Sequence, residues 1–153
     1  MRKVSIEIAK AFINNKNKKI GNSRVCPVSD WVSNGEMGIY LHDNKIAWWE
    51  NYHPNETRPY LGNLSTNIHL CFSMCGWDTP TTRERLNTLF YELFKSDAVY
   101  LKQSKGDQYL YINSTCMKID PSEVYTLREV EKCVFLDQPW LEENQNKVMN
   151  RAY

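Results

Sequence analysis

Apolar side chains recur at Val4, Ile8, Ala11 and Phe12, with Ile6 and Ile13 beside them. This i, i+4, i+7, i+8 spacing lays one stripe along a helix and predicts an α-helix over about residues 3–15. Asn14, Asn15, Asn17 and Gly21 end it. Ser23 to Val28 reads as a short strand, with Pro27 confining it to a sheet edge or a strand end. Between Gly38 and Glu50 two short runs flank Asp43-Asn44, residue types that tolerate positive φ, and so predict a hairpin. Pairing across that turn sets Leu41 against Ile46 and Ile39 against Trp48 on one face. His42 with Lys45, and Tyr40 with Ala47, fall on the other.

Residues 51–66 hold Pro54, Pro59, Gly62 and several Asn, the composition of a long loop. Ile68, Leu70, Phe72 and Met74 then alternate with His69, Cys71, Ser73 and Cys75, which predicts a strand over 67–75. A second helix is predicted over about residues 80–95, burying Leu86, Leu89, Phe90, Leu93 and Phe94. Its start is either Thr79 capping Pro80, or Thr81 with Glu84 as a capping box. Ala98 to Gln103 and Gln108 to Asn113 form a second hairpin around Ser104-Lys105-Gly106-Asp107. Pro121-Ser122 opens a short helix to about residue 132, and Val134 to Leu136 is a last short strand. Trp140, Leu141, Val148 and Met149 are the apolar positions of a short terminal helix.

These elements predict an α+β fold. An antiparallel sheet of about five strands carries the N-terminal helix and the central helix on one face. Residues 1–136 form a single α+β domain, and residues 137–153 a C-terminal extension with helical character. The length of 153 residues suits one domain with its own core.

Charge narrows the function classes. The 19 Lys and Arg nearly balance 18 Asp and Glu, leaving +1. A coat protein for nucleic acid would carry a larger basic excess and a DNA mimic the opposite, so any electrostatic role needs a local patch. Glu7 and Lys10 interrupt any apolar leader, and no run approaches the ~20 apolar residues of a membrane span. The chain reads as intracellular, without a membrane role.

The 5 cysteines are Cys26, Cys71, Cys75, Cys116 and Cys133, an odd number that predicts reduced thiols. Cys71 and Cys75, four residues apart on one strand, would stand roughly 13 Å apart, too far to share one zinc ion. No metal site is expected. There is no Walker loop, dinucleotide fingerprint, zinc-protease helix or nucleophile elbow. His42, His53 and His69 come with no orienting motif, so no catalytic residue, no cofactor and no enzymatic activity are expected.

The run Tyr40-Leu-His-Asp-Asn-Lys-Ile-Ala47, followed by Gly76-Trp-Asp-Thr-Pro-Thr-Thr-Arg-Glu-Arg-Leu-Asn87, resembles a group of small bacteriophage proteins. These carry a Leu-His-Gly-Asn-x-Ile-Ala strand turn and a Gly-Trp-x-Thr-x-Thr-Thr-x-x-Arg-Leu-Asn helix opening. The likeness covers about residues 4–113. The chain departs from it at Asp43, where Gly is usual, in the insertion at 51–66 and in a tail beyond Ser114. The resemblance carries no chemistry. It implies a phage accessory protein that engages a host or phage macromolecule in the host cytoplasm during infection, for example to inhibit a host factor.

Two surfaces suit such a role. A protein partner would meet Arg83 and Arg85, near the start of the central helix, together with Trp49 and Tyr52, since Trp, Tyr and Arg anchor interfaces most often. Both arginines are expected to be partly exposed, so reversing their charges should spare the fold. The alternative is nucleic-acid binding, with Tyr40, Trp49, Tyr109 and Tyr111 stacking on bases inside a basic rim of Lys45, Lys102, Lys105, Arg83 and Arg85.

Overall fold

The computed structural model describes residues 2–28, 37–49, 67–130 and 133–136. The first helix, α1 (Lys3–Ile13), buries Ile8, Ala9, Ala11 and Phe12. β1 (Lys18–Ile20), β2 (Ser23–Pro27), β3 (Met37–Leu41), β4 (Asn44–Trp49) and β5 (Asn67–Phe72) follow. The chain then enters α2 (Pro80–Phe94) and a meander of β6 (Val99–Ser104), β7 (Asp107–Ile112) and β8 (Thr115–Ile119). It returns as β9 (Tyr125–Val130) and β10 (Cys133–Leu136).

The strands form two antiparallel sheets: seven in the order β1-β2-β3-β4-β5-β9-β10, and three in the order β6-β7-β8. The α+β class therefore stands, with ten strands among the described residues where about five were expected. Three of the additions have local causes. Lys18–Ile20 is too short to show alternation. It pairs with β2 across Gly21, whose φ of +57° suits glycine. Thr115–Ile119 follows a tight turn at Asn113, φ +56°. The helix expected at 121–132 is instead a turn and the strand β9. The Asp120 carboxylate accepts from the Ser122 N–H at 2.9 Å, and the Glu123 N–H reaches the Asp120 carbonyl at 3.1 Å. Tyr125, Thr126 and Leu127 are then buried between β5 and β10. Pairing on both sides outweighs the helix propensity of Glu, Arg and Leu in that segment.

The first hairpin is present, with a different register. Its turn centres on His42-Asp43, with φ of +51° and +64°, one residue before the expected Asp43-Asn44. Leu41 thus faces Asn44 and Tyr40 faces Lys45. A bulge at Ile46 then sets Ile39 against Ala47 and Gly38 against Trp48, still one residue from the expected register. Ile39, Leu41 and Ile46 are buried as expected, but Ala47 joins them and Trp48 moves to the opposite face. The second hairpin turns at Lys105-Gly106, φ +52° and +84°, as its sequence predicts.

Both helices pack on one face of the large sheet, α1 against β1 to β3 and α2 against β4, and α2 also reaches β6. Phe12 stacks on Trp49 at 4.6 Å, and Phe72 meets Phe90 edge-on at 5.1 Å. Thr79 caps α2 by accepting from the Thr82 N–H at 3.2 Å, with Pro80 in the first turn. Lys95 ends the helix in the left-handed region, φ +55°. The Asn87 amide fastens the helix to the free edge of β6. It donates to the Leu101 carbonyl at 2.9 Å and accepts from the Leu101 N–H at 2.6 Å, which blunts that edge as a pairing site. The loop at 51–66 and the extension at 137–153 lie outside the described residues.

Candidate functional site

The structure separates the three described residues of the expected protein-binding patch. Tyr52 lies outside the described residues. Trp49 projects from β4 to the helix side of the sheet, where its ring stacks on Phe12. Arg85 is drawn inward, with its side chain only 10% exposed. Its guanidinium donates to Ser5 Oγ at 2.6 Å, to Ser23 Oγ at 3.0 Å and to Glu84 Oε2 at 3.0 Å, joining α1, β2 and α2. Arg83 lies nearer the surface. It donates to the Asp78 carbonyl at 2.9 Å and to the side-chain oxygens of Gln103 and Gln108 at 2.8 and 3.2 Å. The expectation that both arginines are available to a partner is therefore corrected for Arg85, whose hydrogen bonds are spent within the fold.

Glu84, which one of the two sequence alternatives made a capping-box residue of its own helix, serves the other one. Its Oε1 accepts from the Arg2 backbone N–H at 2.8 Å and its Oε2 from the Ser5 hydroxyl. The first turn of α1 has no acidic residue of its own, so Glu84 supplies the negative charge that its N-terminus favours. Burial works to raise the Glu84 pKa. The Ser5 and Arg2 hydrogen bonds and the charges of Arg85 and Arg2 outweigh it and hold the carboxyl below its ordinary value. A carboxyl depressed in the folded state stabilises the fold above its unfolded pKa, about 4.3. That contribution is lost as pH falls through the folded value. Acid titration of stability should therefore decline below about pH 4.3, and Glu84→Gln should flatten the decline. Equal acid slopes in chemical melts of the two proteins would contradict this.

The alternative residue set divides between the two sheets. On the outer face of the large sheet, Lys19, Arg24, Tyr40 and Lys45 form one cross-strand row. The Arg24 guanidinium lies 4.5 Å from the Tyr40 ring centre, and the Lys45 ammonium 4.3 Å from that of Trp48. Burial pushes the Tyr40 phenol up, so it is uncharged at neutral pH. These rings are already covered by cations of the protein itself.

Lys102, Tyr109 and Lys105 belong to the small sheet. One face of it, with Val99, Leu101, Leu110, Ile112, Met117 and Ile119, is buried. The other carries two cross-strand rows: Tyr100, Tyr111 and Cys116, then Lys102, Tyr109 and Lys118. The rows are two residues apart, about 6.8 Å by strand rise. Tyr100 and Tyr111 stack at 4.6 Å with an interplanar angle of 5°. A hydrogen bond with Cys116, then its charge, raises the Tyr111 pKa, so the phenol adds no charge at neutral pH. Lys102, Lys105 and Lys118 are exposed; Lys118 pairs with Asp107 at 3.5 Å. Lys118 was missed by sequence reading because its strand was missed.

Among the described residues no group of three or more His, Cys, Asp or Glu side chains could hold a metal ion. The Cys75 thiol donates to the Lys45 carbonyl at 3.0 Å, while Cys71 lies 3.4 Å from the Thr126 hydroxyl, so the two thiols face different partners. No disulfide joins the five cysteines. No described helix is long and apolar enough to cross a membrane.

The model of one protein family, described as the Kyanoviridae Gp96 protein, matches residues 1–125. The chain belongs to that family, and it is a phage protein. The match runs through β8 and to the start of β9, so residues 115–125, which read as part of an added tail, lie within the family's span. No curated protein and no solved structure matches the chain.

Proposed function

We propose that this phage protein is a non-enzymatic accessory protein that binds single-stranded nucleic acid across the outer face of β6 to β8, in the host cytoplasm. The observation that carries the reading is the pair of cross-strand rows, which set three tyrosines beside two lysines on one exposed face. Bases stack on aromatic rings whatever their sequence, at about 1–3 kcal/mol per base, while flanking cations neutralise phosphates. Tyr100, Tyr109 and Tyr111 provide the rings; Lys102 and Lys118 flank Tyr109, and Lys105 stands at the adjoining turn. The large sheet is the weaker candidate because its own cations occupy Tyr40 and Trp48. A protein partner at Arg83, Arg85 and Trp49 has less support, since Arg85 and Trp49 are engaged inside the molecule.

Fluorescence anisotropy with a labelled oligonucleotide of about 12 bases, within the usual site sizes, tests the reading. Binding should weaken at least about tenfold in Lys102→Glu with Lys118→Glu, and the salt slope of log K should shrink by about 1.4, from two lost phosphate contacts. The melting temperature should hold, since exposed charge changes usually cost less than about 0.5 kcal/mol. Equal affinity and slope in wild type and variant would place the strand elsewhere. No binding at low salt would end the proposal.

A further inference from the structure

The two runs singled out in the sequence, the strand turn at 40–47 and the helix opening at 76–87, meet at one pocket of about 360 Å³. Leu41, Ile46 and Met74 supply its apolar surface, and Trp77 stands at its side. Trp77 is 59% exposed, the most exposed large hydrophobic among the described residues. Its position is imposed by the backbone. Cys75 and Gly76 both take positive φ, +54° and +78°, and the Trp77 N–H closes the turn onto the Met74 carbonyl at 2.8 Å. The Cys75 thiol on the Lys45 carbonyl ties this turn to the hairpin, and the Ser73 N–H on the Ile46 carbonyl, at 2.9 Å, does the same. The pocket is thus held open by two braced turns, one of them with non-glycine residues at both positive-φ positions, a strained arrangement of the kind that clusters at ligand sites.

The polar groups at this pocket divide into spent and available ones. Thr79 and Thr82 hydroxyls bond each other at 3.0 Å within the helix cap. The Asn44 amide nitrogen makes one long contact, 3.4 Å to the His42 carbonyl. The Asn44 amide oxygen, the Thr81 hydroxyl and the Trp77 indole N–H have no hydrogen bond to any described residue. Among the described residues no Lys, Arg, Asp or Glu lines the pocket, and His42, at the hairpin turn, is the one titratable side chain there. An exposed indole, an apolar floor, and neutral donors and acceptors at the rim fit a flat, uncharged ring with hydrogen-bonding edges. Free-standing bases are recognised in this way, by stacking against aromatic and apolar side chains and by hydrogen bonds to the base edge. The volume lies at the small end of ligand pockets, about 300–1,000 Å³, which suits one base with its sugar and not a stretch of strand.

The geometry points to a nucleobase site at this pocket, with the base stacked on Trp77 and its edge read by Asn44 and Thr81. The site is built from other elements than the β6 to β8 face and does not depend on the strand-binding reading. The test is isothermal titration of the full chain with adenosine, guanosine, cytidine and uridine in turn, which carry no phosphate and so avoid the lysine face. At least one should bind saturably. Trp77→Ala should weaken it about tenfold or more, as loss of a base–aromatic stack does, with an unchanged melting temperature. Asn44→Ala should narrow the differences among the four nucleosides. The Lys102→Glu, Lys118→Glu protein should bind the nucleoside as wild type does, which keeps this result separate from that of the oligonucleotide. Absence of saturable binding by all four nucleosides would overturn the inference, as would equal affinity in the folded Trp77→Ala protein. Binding of toluene or indole in preference to every nucleoside would also overturn it, and would mark the pocket as a slot for a partner's apolar side chain.

Discussion

Replacing Arg85 with glutamate is expected to cost up to about 3–5 kcal/mol of folding stability, the loss seen when one member of a fully buried ion pair is removed. The side chain is 10% exposed and binds Ser5, Ser23 and Glu84 together. The substitution removes all three hydrogen bonds and sets a second carboxylate beside Glu84, which also serves the start of α1. Small domains have about 5–15 kcal/mol in total, so most of the margin would go. Arg83→Glu is the control. It lies two residues away and bonds a carbonyl, the exposed Gln103 and the buried Gln108, so its loss should stay within the ~1.5–3 kcal/mol of a hydrogen bond from a charged donor. Urea melts of the two variants decide the matter. Equal midpoints would show that the network around Arg85 does not hold α1, β2 and α2 together.

Phe72→Ala should be comparably severe, about 3–5 kcal/mol. Phe72 is fully buried on the helix side of β5. It meets the Phe90 ring of α2 at 5.1 Å and the Tyr125 ring of β9 at 5.7 Å. Truncation would open a cavity where the central helix, the middle of the large sheet and the returning strand join. Each lost aromatic pair adds about 0.5–1.5 kcal/mol to the transfer cost. Thermal unfolding followed by circular dichroism should register a drop of about 6–20 °C, at roughly 2–4 °C per kcal/mol for chains of this size. A drop of a few degrees would mean that these rings do not form the centre of the core.

The sequence was legible where one physical signal acted alone. The stripe through Ile8 and Phe12 and the turn at Lys105-Gly106 each specify their element without help from the rest of the chain, while the start of α2 was narrowed to two caps, of which Thr79-Pro80 is the one formed. The register of the first hairpin was not legible, because His42 and Asp43 can both adopt positive φ and the bulge at Ile46 conceals the shift of turn. β9 was misread as a helix because its burial comes from two flanking strands, one of them 55 residues away at Cys71 opposite Thr126. The candidate site was legible in parts. Lys102, Lys105, Tyr109 and Tyr111 could be named by residue type, while Tyr100 and Lys118 needed the pairing of β6, β7 and β8. Tyr40 and Lys45 pair across β3 and β4, on the other sheet. Arg85 was read as a surface residue because helix position alone places it at an N-terminus; Ser5 and Ser23, which draw it inward, lie 80 and 62 residues away.

The proposal that a nucleic-acid strand lies across β6 to β8 is tested most directly by ultraviolet cross-linking of the protein to a poly-pyrimidine oligonucleotide, followed by mass spectrometry of the adduct peptides. Adducts are expected on Tyr100, Tyr109 or Tyr111, competed away by unlabelled single strand. Adducts confined to residues outside β6 to β8, or none from a folded protein, would contradict it.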